Sequence, residues 1–285
     1  LSPDHIRAFN GGDELLSVAI RAAAAESDAV AFLEPSYSLY PVLTEINGSR
    51  AIRLRYDIQG DAWALPASIE STPAKLLLIV NPNAPSGHLD PLERLADIAR
   101  RFPGLLLIDE AYVDFAPRTA LPLVREFPNV LLLRTLSKGY SLAGLRFGYA
   151  IGNAGLLRQI EKVRDSYPVD AVAIAAATAA IQDQPYARAT WEKVIAERTR
   201  LTAELRALGF SMPDSQSNFL LATVPDKPGV SADIAPTAKS LYESLKSRGI
   251  LVRYWDLPHI ADKLRITIGT PDQNNKLLTE LKTLL

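Results

Sequence analysis

The stretch that decides the fold is residues 131–148, which read LLLRTLSKGYSLAGLRFG. An apolar run there is followed by a turn rich in hydroxyl groups, then by Lys138, and eight residues later by Arg146. In open α/β sheets, ligands bind outside the carboxyl ends of the strands. Lys138 therefore lies where chemistry is expected.

Other short apolar runs frame this stretch. They occur at 29–33, 51–54, 76–80, 105–108, 130–133 and 147–151. They lack polar alternation, which is typical of strands covered on both faces. Between them lie helical patterns such as 90–101, in which Leu92, Leu95 and Ile98 share one face. This alternation predicts an α/β fold, with a mostly parallel central sheet and helices on both faces.

The pattern changes after about residue 152. Consecutive helices are predicted at 154–163, 169–181 and 185–208. Short strands are then predicted at 218–222, 250–253 and 263–268, with a helix at 237–247 and another at the C-terminus. We therefore expect a large domain over 1–180 and a smaller α+β domain, with a small mixed sheet, over 181–285. At the other end, residues 1–3 are expected to lead directly into a helix.

Composition excludes several classes of protein. The 31 basic and 32 acidic side chains give a net charge of −1, which argues against a nucleic-acid partner. The chain has no cysteine, and no apolar run reaches the roughly 20 residues that span a bilayer. The three histidines have no metal-ligand spacing, so no metal site is predicted. We expect a cytoplasmic protein that binds no membrane.

Three further segments carry polar groups next to predicted strands or helices. Asp109 and Tyr112 follow the run at 105–108, although an aspartate there could also cap a turn. A rigid turn at 81–87 contains two prolines and a glycine. Residues 10–14 open a helix with two glycines, which lets a phosphate approach the free amides.

Together these segments resemble the fold-type I pyridoxal-phosphate (PLP) enzymes and, within them, the histidinol-phosphate aminotransferases. The spacing from Lys138 to Arg146, the Asp109-x-x-Tyr112 segment and the late stretch LRITIGT at 264–270 carry the resemblance. It implies a fold-type I PLP-transferase with PLP as its cofactor. It implies that Lys138 forms a Schiff base with PLP and later acts as general base and acid. Asp109 would pair with the pyridine nitrogen, and Tyr112 would bind the 3′-oxygen.

The resemblance also implies the remaining contacts of the cofactor and the substrate. Tyr37 would stack on the cofactor ring. The phosphate would rest on the backbone amides of Gly12 and Asp13, the hydroxyls of Thr135 and Ser137, and Arg146. Arg253 and Arg265 would together bind the doubly charged phosphate of the substrate.

The sequence departs from the family pattern at several points. Ala84 stands where much of the family has an asparagine that binds the 3′-oxygen, so either Asn83 replaces it or Tyr112 acts alone. Gly139 stands where alanine is commoner, which we expect to loosen the turn. The chain begins at Leu1, and the resemblance implies that an N-terminal segment is missing. We expect such a chain to bind PLP but to turn over poorly.

The expected reaction is the transfer of an amino group between L-histidinol phosphate and 2-oxoglutarate, in histidine biosynthesis. Two other enzymes on the same fold stay open: an aminotransferase for aromatic or other amino acids, and a decarboxylase of a phosphorylated amino acid. A regulatory domain that senses PLP without turnover also stays open. The resemblance implies a homodimer, with small molecules as amino donor and 2-oxo acid acceptor.

Overall fold

The computed structural model describes residues 1–225 and 237–285. Within these ranges the strands are β1 (Ile6–Asn10), β2 (Ala29–Glu34), β3 (Arg50–Arg55), β4 (Asp57–Gln59), β5 (Ala62–Ala64), β6 (Leu76–Val80), β7 (Leu105–Asp109), β8 (Val130–Thr135), β9 (Phe147–Gly152), β10 (Phe219–Thr223) and β11 (Lys263–Thr267). The helices are α1 (Gly11–Ala23), α2 (Leu39–Ile46), α3 (Leu92–Arg101), α4 (Leu121–Glu126), α5 (Ala154–Glu161), α6 (Ala171–Gln182), α7 (Gln184–Ala207), α8 (Ala238–Ser247) and α9 (Pro271–Leu284). None of these helices is both long and apolar enough to cross a membrane.

A seven-stranded sheet, in the order β1-β9-β8-β7-β6-β2-β3, forms the centre of the molecule. Strands β3, β2, β6, β7 and β8 are parallel, whereas β9 runs antiparallel to both of its neighbours. All five residues of β6 are buried, as are four of the five in β7. The prediction of a mostly parallel α/β sheet is confirmed, because strands buried on both faces need no polar alternation.

Helices cover both faces of this sheet, as expected. On one face, Leu95 and Ile98 of α3 and Leu123 of α4 pack against the strands. On the other face, Leu15 and Leu16 of α1 pack with Leu157 and Ile160 of α5. Two apolar layers therefore hold the strands rigidly and leave their carboxyl ends for a site.

The N-terminal segment differs from the prediction. The sequence predicts a helix directly after Pro3, but only one 3-10 turn forms there, and β1 follows. Phe9 alone is buried in β1, so this edge strand has no apolar run by which to recognise it. Its pairing with β9 sets Asn10 opposite Phe147. That register brings the start of α1 beside Arg146.

The C-terminal part packs around a smaller sheet, in which β10 and β11 are antiparallel. Helices α7, α8 and α9 bury leucines against it, including Leu205, Leu245 and Leu281. The predicted strand at 250–253 is wrong, because only a single bridge between Arg253 and Arg265 forms there. A domain boundary near residue 180 stays a prediction.

Candidate active site

A pocket opens at the carboxyl ends of β6, β7 and β8, beside the start of α1. Nine of the ten predicted cofactor-binding residues line it: Gly12, Asp13, Tyr37, Asp109, Tyr112, Thr135, Ser137, Lys138 and Arg146. Leu16, Val80 and Leu133 complete its apolar wall. Segments far apart in the sequence therefore meet because parallel strands end at one edge of the sheet.

Lys138 lies in the turn after β8, with its Nζ atom 5.5 Å from the centroid of the Tyr112 ring. Burial lowers the pKa of the Lys138 amine, and the positive charge of Arg265 lowers it further. The carboxylates of Asp109 and Asp13 act in the opposite direction. A lowered pKa increases the neutral fraction of the amine, which is the form that attacks a carbonyl carbon or accepts a proton.

Asp109, the last residue of β7, is buried and held at both carboxylate oxygens. The backbone N–H of Ala111 donates to Oδ1 at 3.0 Å, and the Tyr40 hydroxyl donates to Oδ2 at 3.0 Å. Burial raises the pKa of Asp109 to about 6, although both hydrogen bonds oppose this shift. Such a carboxylate gains most from a cationic partner, because the partner removes the penalty of a buried charge.

Sequence reasoning missed Tyr40. Its side chain is fully buried under the pocket, and its ring packs edge-on against Tyr37 with centroids 5.7 Å apart. Tyr40 lies three residues after Tyr37, in the first turn of α2. The closeness of Tyr40 to Tyr37 in the sequence is the one feature that could have marked it as a site residue. Its contact with Asp109 arises only from the packing of α2 against the sheet.

The start of α1 and Arg146 form a cradle suited to a phosphate. Gly11 has a φ of +79°, and a Cβ atom there would lie 2.5 Å from Nη2 of Arg146. Only glycine gives both this conformation and this close approach. Arg146 itself has a φ of 54°, and its Nη2 lies 3.0 Å from Oδ2 of Asp13. The first amides of α1 have no helical partner and can bind an anion.

Thr135 and Ser137 close the cradle from the side of β8. The Thr135 hydroxyl donates to the Ser137 hydroxyl at 2.9 Å, and the Ser137 backbone N–H donates to Thr135 Oγ1 at 3.1 Å. Tyr37 stands across the pocket, where its hydroxyl donates to Oδ1 of Asp13 at 3.1 Å. Hydroxyl and amide donors therefore surround the space beside Arg146.

Asn83 is the one predicted cofactor-binding residue that the structure does not bring to the pocket. Its side-chain N–H groups donate to the Ser86 hydroxyl at 2.8 Å and to the Pro35 carbonyl at 3.4 Å. Its side chain is fully buried inside this turn, whereas Ala84 lines the pocket. The structure therefore does not favour Asn83 as the replacement for the missing asparagine, because its amide is hydrogen-bonded inside the turn.

Gly139 does not loosen the turn, contrary to expectation. The Asp114 carboxylate occupies the space that a Cβ atom at residue 139 would need. The indole N–H of Trp191, on α7, donates to the Gly139 carbonyl at 2.7 Å. The backbone directly after Lys138 is thus held from two sides.

Arg253 and Arg265 pair across a bridge beside the smaller sheet, each donating its backbone N–H to the other's carbonyl. Both guanidinium carbons lie 5.2 Å from the centroid of the Trp255 ring. The pKa of Arg265 is lowered by burial and by the charge of Arg253. Neither arginine lines the pocket itself. Arg265 lies beside it, because its guanidinium carbon is 5.1 Å from the centroid of Phe219, whose ring packs edge-on against Tyr112 with centroids 5.0 Å apart.

Known proteins are similar to this chain in sequence. The family model "Aminotransferase class I and II" matches residues 1–281. Histidinol-phosphate aminotransferase 1 of Nostoc sp. is 47% identical over 97% of this chain and 75% of that protein. The chain belongs to the class I and II aminotransferases. Histidinol-phosphate aminotransferase of Syntrophotalea carbinolica, another relative, is 40% identical over 98% of this chain and 77% of that protein.

Solved aminotransferase structures have the same fold. Histidinol-phosphate aminotransferase from Sinorhizobium meliloti, in complex with pyridoxal-5'-phosphate, matches with a TM-score of 0.85 and 29% identity. The match covers 100% of this chain and 78% of that one. The fold-type I prediction is confirmed, and the chain is a PLP-dependent aminotransferase. The sequence left a decarboxylase and a regulatory domain open as alternatives. The similarity to aminotransferases favours neither of them.

The residues of the pocket fit PLP. The cofactor needs an amine for its aldehyde, an anion for its ring nitrogen and donors for its phosphate. Lys138, the buried carboxylate of Asp109, and the cradle at Arg146 supply these three groups in one pocket. A positively charged ring nitrogen would stabilise the ionised carboxylate of Asp109, whose pKa burial raises. The polar groups of the pocket are therefore complementary to this cofactor.

Proposed function

We propose that this aminotransferase transfers the amino group of L-histidinol phosphate to 2-oxoglutarate. One observation carries the proposal: two guanidinium groups lie 5.2 Å from one indole ring beside the pocket, and no carboxylate pairs with either in residues 1–225 and 237–285. A single arginine suffices for an α-carboxylate, whereas a phosphate dianion is matched by two. The relatives named histidinol-phosphate aminotransferase support the same substrate.

We propose the following roles for the residues of the pocket. PLP, when bound, supplies an electron sink and stores the amino group between the two half-reactions. The Lys138 amine would hold the cofactor through its aldehyde and, when free, would move a proton to and from the substrate carbon. Asp109, which Tyr40 and Ala111 hold by hydrogen bonds, would keep the ring nitrogen protonated, and Tyr112 would donate a hydrogen bond to the ring oxygen.

The two anions of the reaction have separate places in this proposal. Arg146 and the start of α1 bind the cofactor phosphate, and Arg253 with Arg265 binds the phosphate of the donor. A carboxylate of 2-oxoglutarate then binds to the same pair of arginines, because the donor and the acceptor enter one pocket in turn. Leu16, Val80 and Leu133 give this pocket an apolar wall.

The test is a single-turnover reaction of the PLP-loaded chain with L-histidinol phosphate, followed by absorbance. The yellow colour of the loaded chain should fade as the amino group is taken up, and 2-oxoglutarate should restore it. Histidinol without phosphate and aromatic amino acids are the comparison donors. A faster reaction with phenylalanine or tyrosine than with histidinol phosphate would overturn the assignment of the donor.

We also propose that two copies of the chain assemble through α6. This helix has no charged residue, and only Ala173 and Ala177 of it are buried. Apolar side chains stand exposed on it and beside it: Tyr167, Val172, Ile174, Ile181 and Tyr186. Such a patch marks an interaction surface, and a second copy of the chain is the partner that the family resemblance implies.

The mass in solution tests this proposal. The chain should sediment as a dimer, and Val172→Lys together with Ile174→Lys should shift it to a monomer. A dimer that survives both substitutions would place the interface elsewhere. A cytoplasmic location stays a prediction of the sequence.

A further inference from the structure

The Trp255 side chain touches both arginines of the proposed substrate-anion site. The guanidinium carbons of Arg253 and Arg265 each lie 5.2 Å from its ring centroid. Phe219 contacts Arg265 from another direction, with the guanidinium carbon 5.1 Å from its centroid. Two aromatic rings therefore flank Arg265, whereas a carboxylate, that of Asp13, pairs with Arg146.

The aromatic contacts offset two electrostatic penalties of the arginine pair. Two like charges close together repel each other, and burial of Arg265 adds a desolvation penalty. The Nε atom of Arg265 is buried and has no hydrogen-bond partner within the described part of the chain. A carboxylate would relieve both penalties, but the substrate would then have to displace it. An aromatic face attracts a cation without occupying its N–H donors.

Trp255 is itself held in place. It is half-buried and packs against the apolar cluster on one face of the large sheet, which includes Trp63 and Ile260. Trp255 lies two residues after Arg253, and side chains at i and i+2 of an extended segment share a face. The ring is therefore a fixed surface between the core and the two guanidinium groups.

We propose that Trp255 is a positioning residue that sets the specificity of this enzyme for dianionic substrates. It holds Arg253 and Arg265 together with their N–H donors directed to the incoming anion. The proposal rests on the proposed function for the identity of the donor. It does not rest on it for the binding of an anion, which can be measured separately.

The experiment uses the PLP-loaded chain, so that the cofactor cradle is already filled, and compares Trp255→Leu with Trp255→Phe. Binding of inorganic phosphate is measured by calorimetry, and Arg265→Ala identifies the part of the signal that belongs to the arginine pair. Trp255→Leu should weaken this binding about 10-fold, and Trp255→Phe, which keeps an aromatic face, should stay within about 3-fold. Trp63→Leu is the matched control, because it removes a tryptophan from the same cluster without touching either arginine.

Kinetics separate positioning from a loss of folding. For histidinol phosphate, Trp255→Leu should raise KM about 10-fold and change kcat less than about 2-fold, whereas KM for unphosphorylated histidinol should not change. Trp63→Leu should lower the melting temperature but leave phosphate binding intact.

Three results would overturn the proposal. They are unchanged phosphate binding in Trp255→Leu, equal losses for the phosphorylated and unphosphorylated donors, and no phosphate binding in the unsubstituted chain that depends on Arg265. If the unsubstituted chain does not use histidinol phosphate, the proposed function fails, and the phosphate titration still decides the role of Trp255.

Discussion

The molecule supports its anion-binding arginines in two different ways. In the cofactor cradle, Arg146 is half-exposed and pairs with the carboxylate of Asp13 at 3.0 Å. Beside the pocket, Arg265 is more buried and lies against Phe219 and Trp255, with no acidic partner in the two ranges that the structure describes. One arginine is thus held by an opposite charge, and the other by aromatic faces.

The difference matches what each region has to do. A cofactor stays bound through many turnovers, so a carboxylate that occupies Arg146 in its absence is displaced only once. A substrate must enter and leave in every cycle, and a carboxylate beside Arg265 would compete with it each time. Aromatic support fixes the guanidinium group and leaves its charge for the ligand.

The largest effect should come from Arg265. We expect Arg265→Ala to lower kcat/KM for histidinol phosphate about 100- to 1000-fold, because charge-assisted hydrogen bonds to a dianion are lost. Steady-state kinetics measures this loss of kcat/KM. The affinity for PLP is the control, and it should change less than about 3-fold. If PLP affinity falls as much as kcat/KM, the two regions are not separate.

The second prediction concerns pH, which should act on the cofactor region through the buried carboxyl of Asp109 and not on the arginine pair. Burial raises the pKa of Asp109 to about 6, so the folded chain without cofactor holds this proton more tightly than the unfolded chain. Its stabilising contribution is full below pH 4 and is lost as the pH rises through 6. Asp109→Asn should raise the free energy of unfolding at pH 8 by about 3 kcal/mol, from roughly two pH units at ~1.4 kcal/mol each.

Urea unfolding of the cofactor-free chain at pH 5 and pH 8 measures this effect. Asp114→Asn is the matched control, because burial raises the pKa of Asp114 to about 6 as well, Asp114 does not line the pocket, and asparagine keeps the side-chain size that packs beside Gly139. Both substitutions should flatten the pH dependence, whereas Asp109→Asn alone should weaken PLP binding. A fall in stability at pH 8 in Asp109→Asn would contradict the account.

The smallest effect is expected for Asp13. Its carboxylate competes with the cofactor phosphate for Arg146, so Asp13→Asn should tighten PLP binding by up to about 5-fold. The gain is small because exposed ion pairs contribute about 1 kcal/mol or less. Cofactor titration at low and high salt checks this, and the gain should shrink at high salt. Weaker PLP binding in this variant would show that Asp13 helps to hold the cofactor.

The parts of the fold that the sequence predicts well are those with local patterns. The buried strands around Lys138 and Asp109 are unbroken apolar runs, and each ends in a polar residue at the carboxyl edge of the sheet. Such runs predict both the sheet and the place of the site. Strand β1 has no such pattern, because pairing with β9 rather than its own composition makes it a strand.

The site shows the same limit. The contact of Tyr40 with Asp109 depends on how α2 packs, and the inward turn of Asn83 depends on its bonds to Pro35 and Ser86. Neither has a signature in sequence spacing. The aromatic support of Arg265 joins three segments, and only the arginines themselves could be inferred from a resemblance.

The central claim is that Lys138 carries the cofactor, and the mass of the borohydride-reduced protein tests it most directly. The chain loaded with PLP and reduced should gain the mass of one cofactor, and peptide mapping should place that mass on Lys138. The Lys138→Ala variant, treated in the same way, should gain nothing. A cofactor adduct that persists in Lys138→Ala, or that maps to another lysine of the unsubstituted chain, would contradict the account.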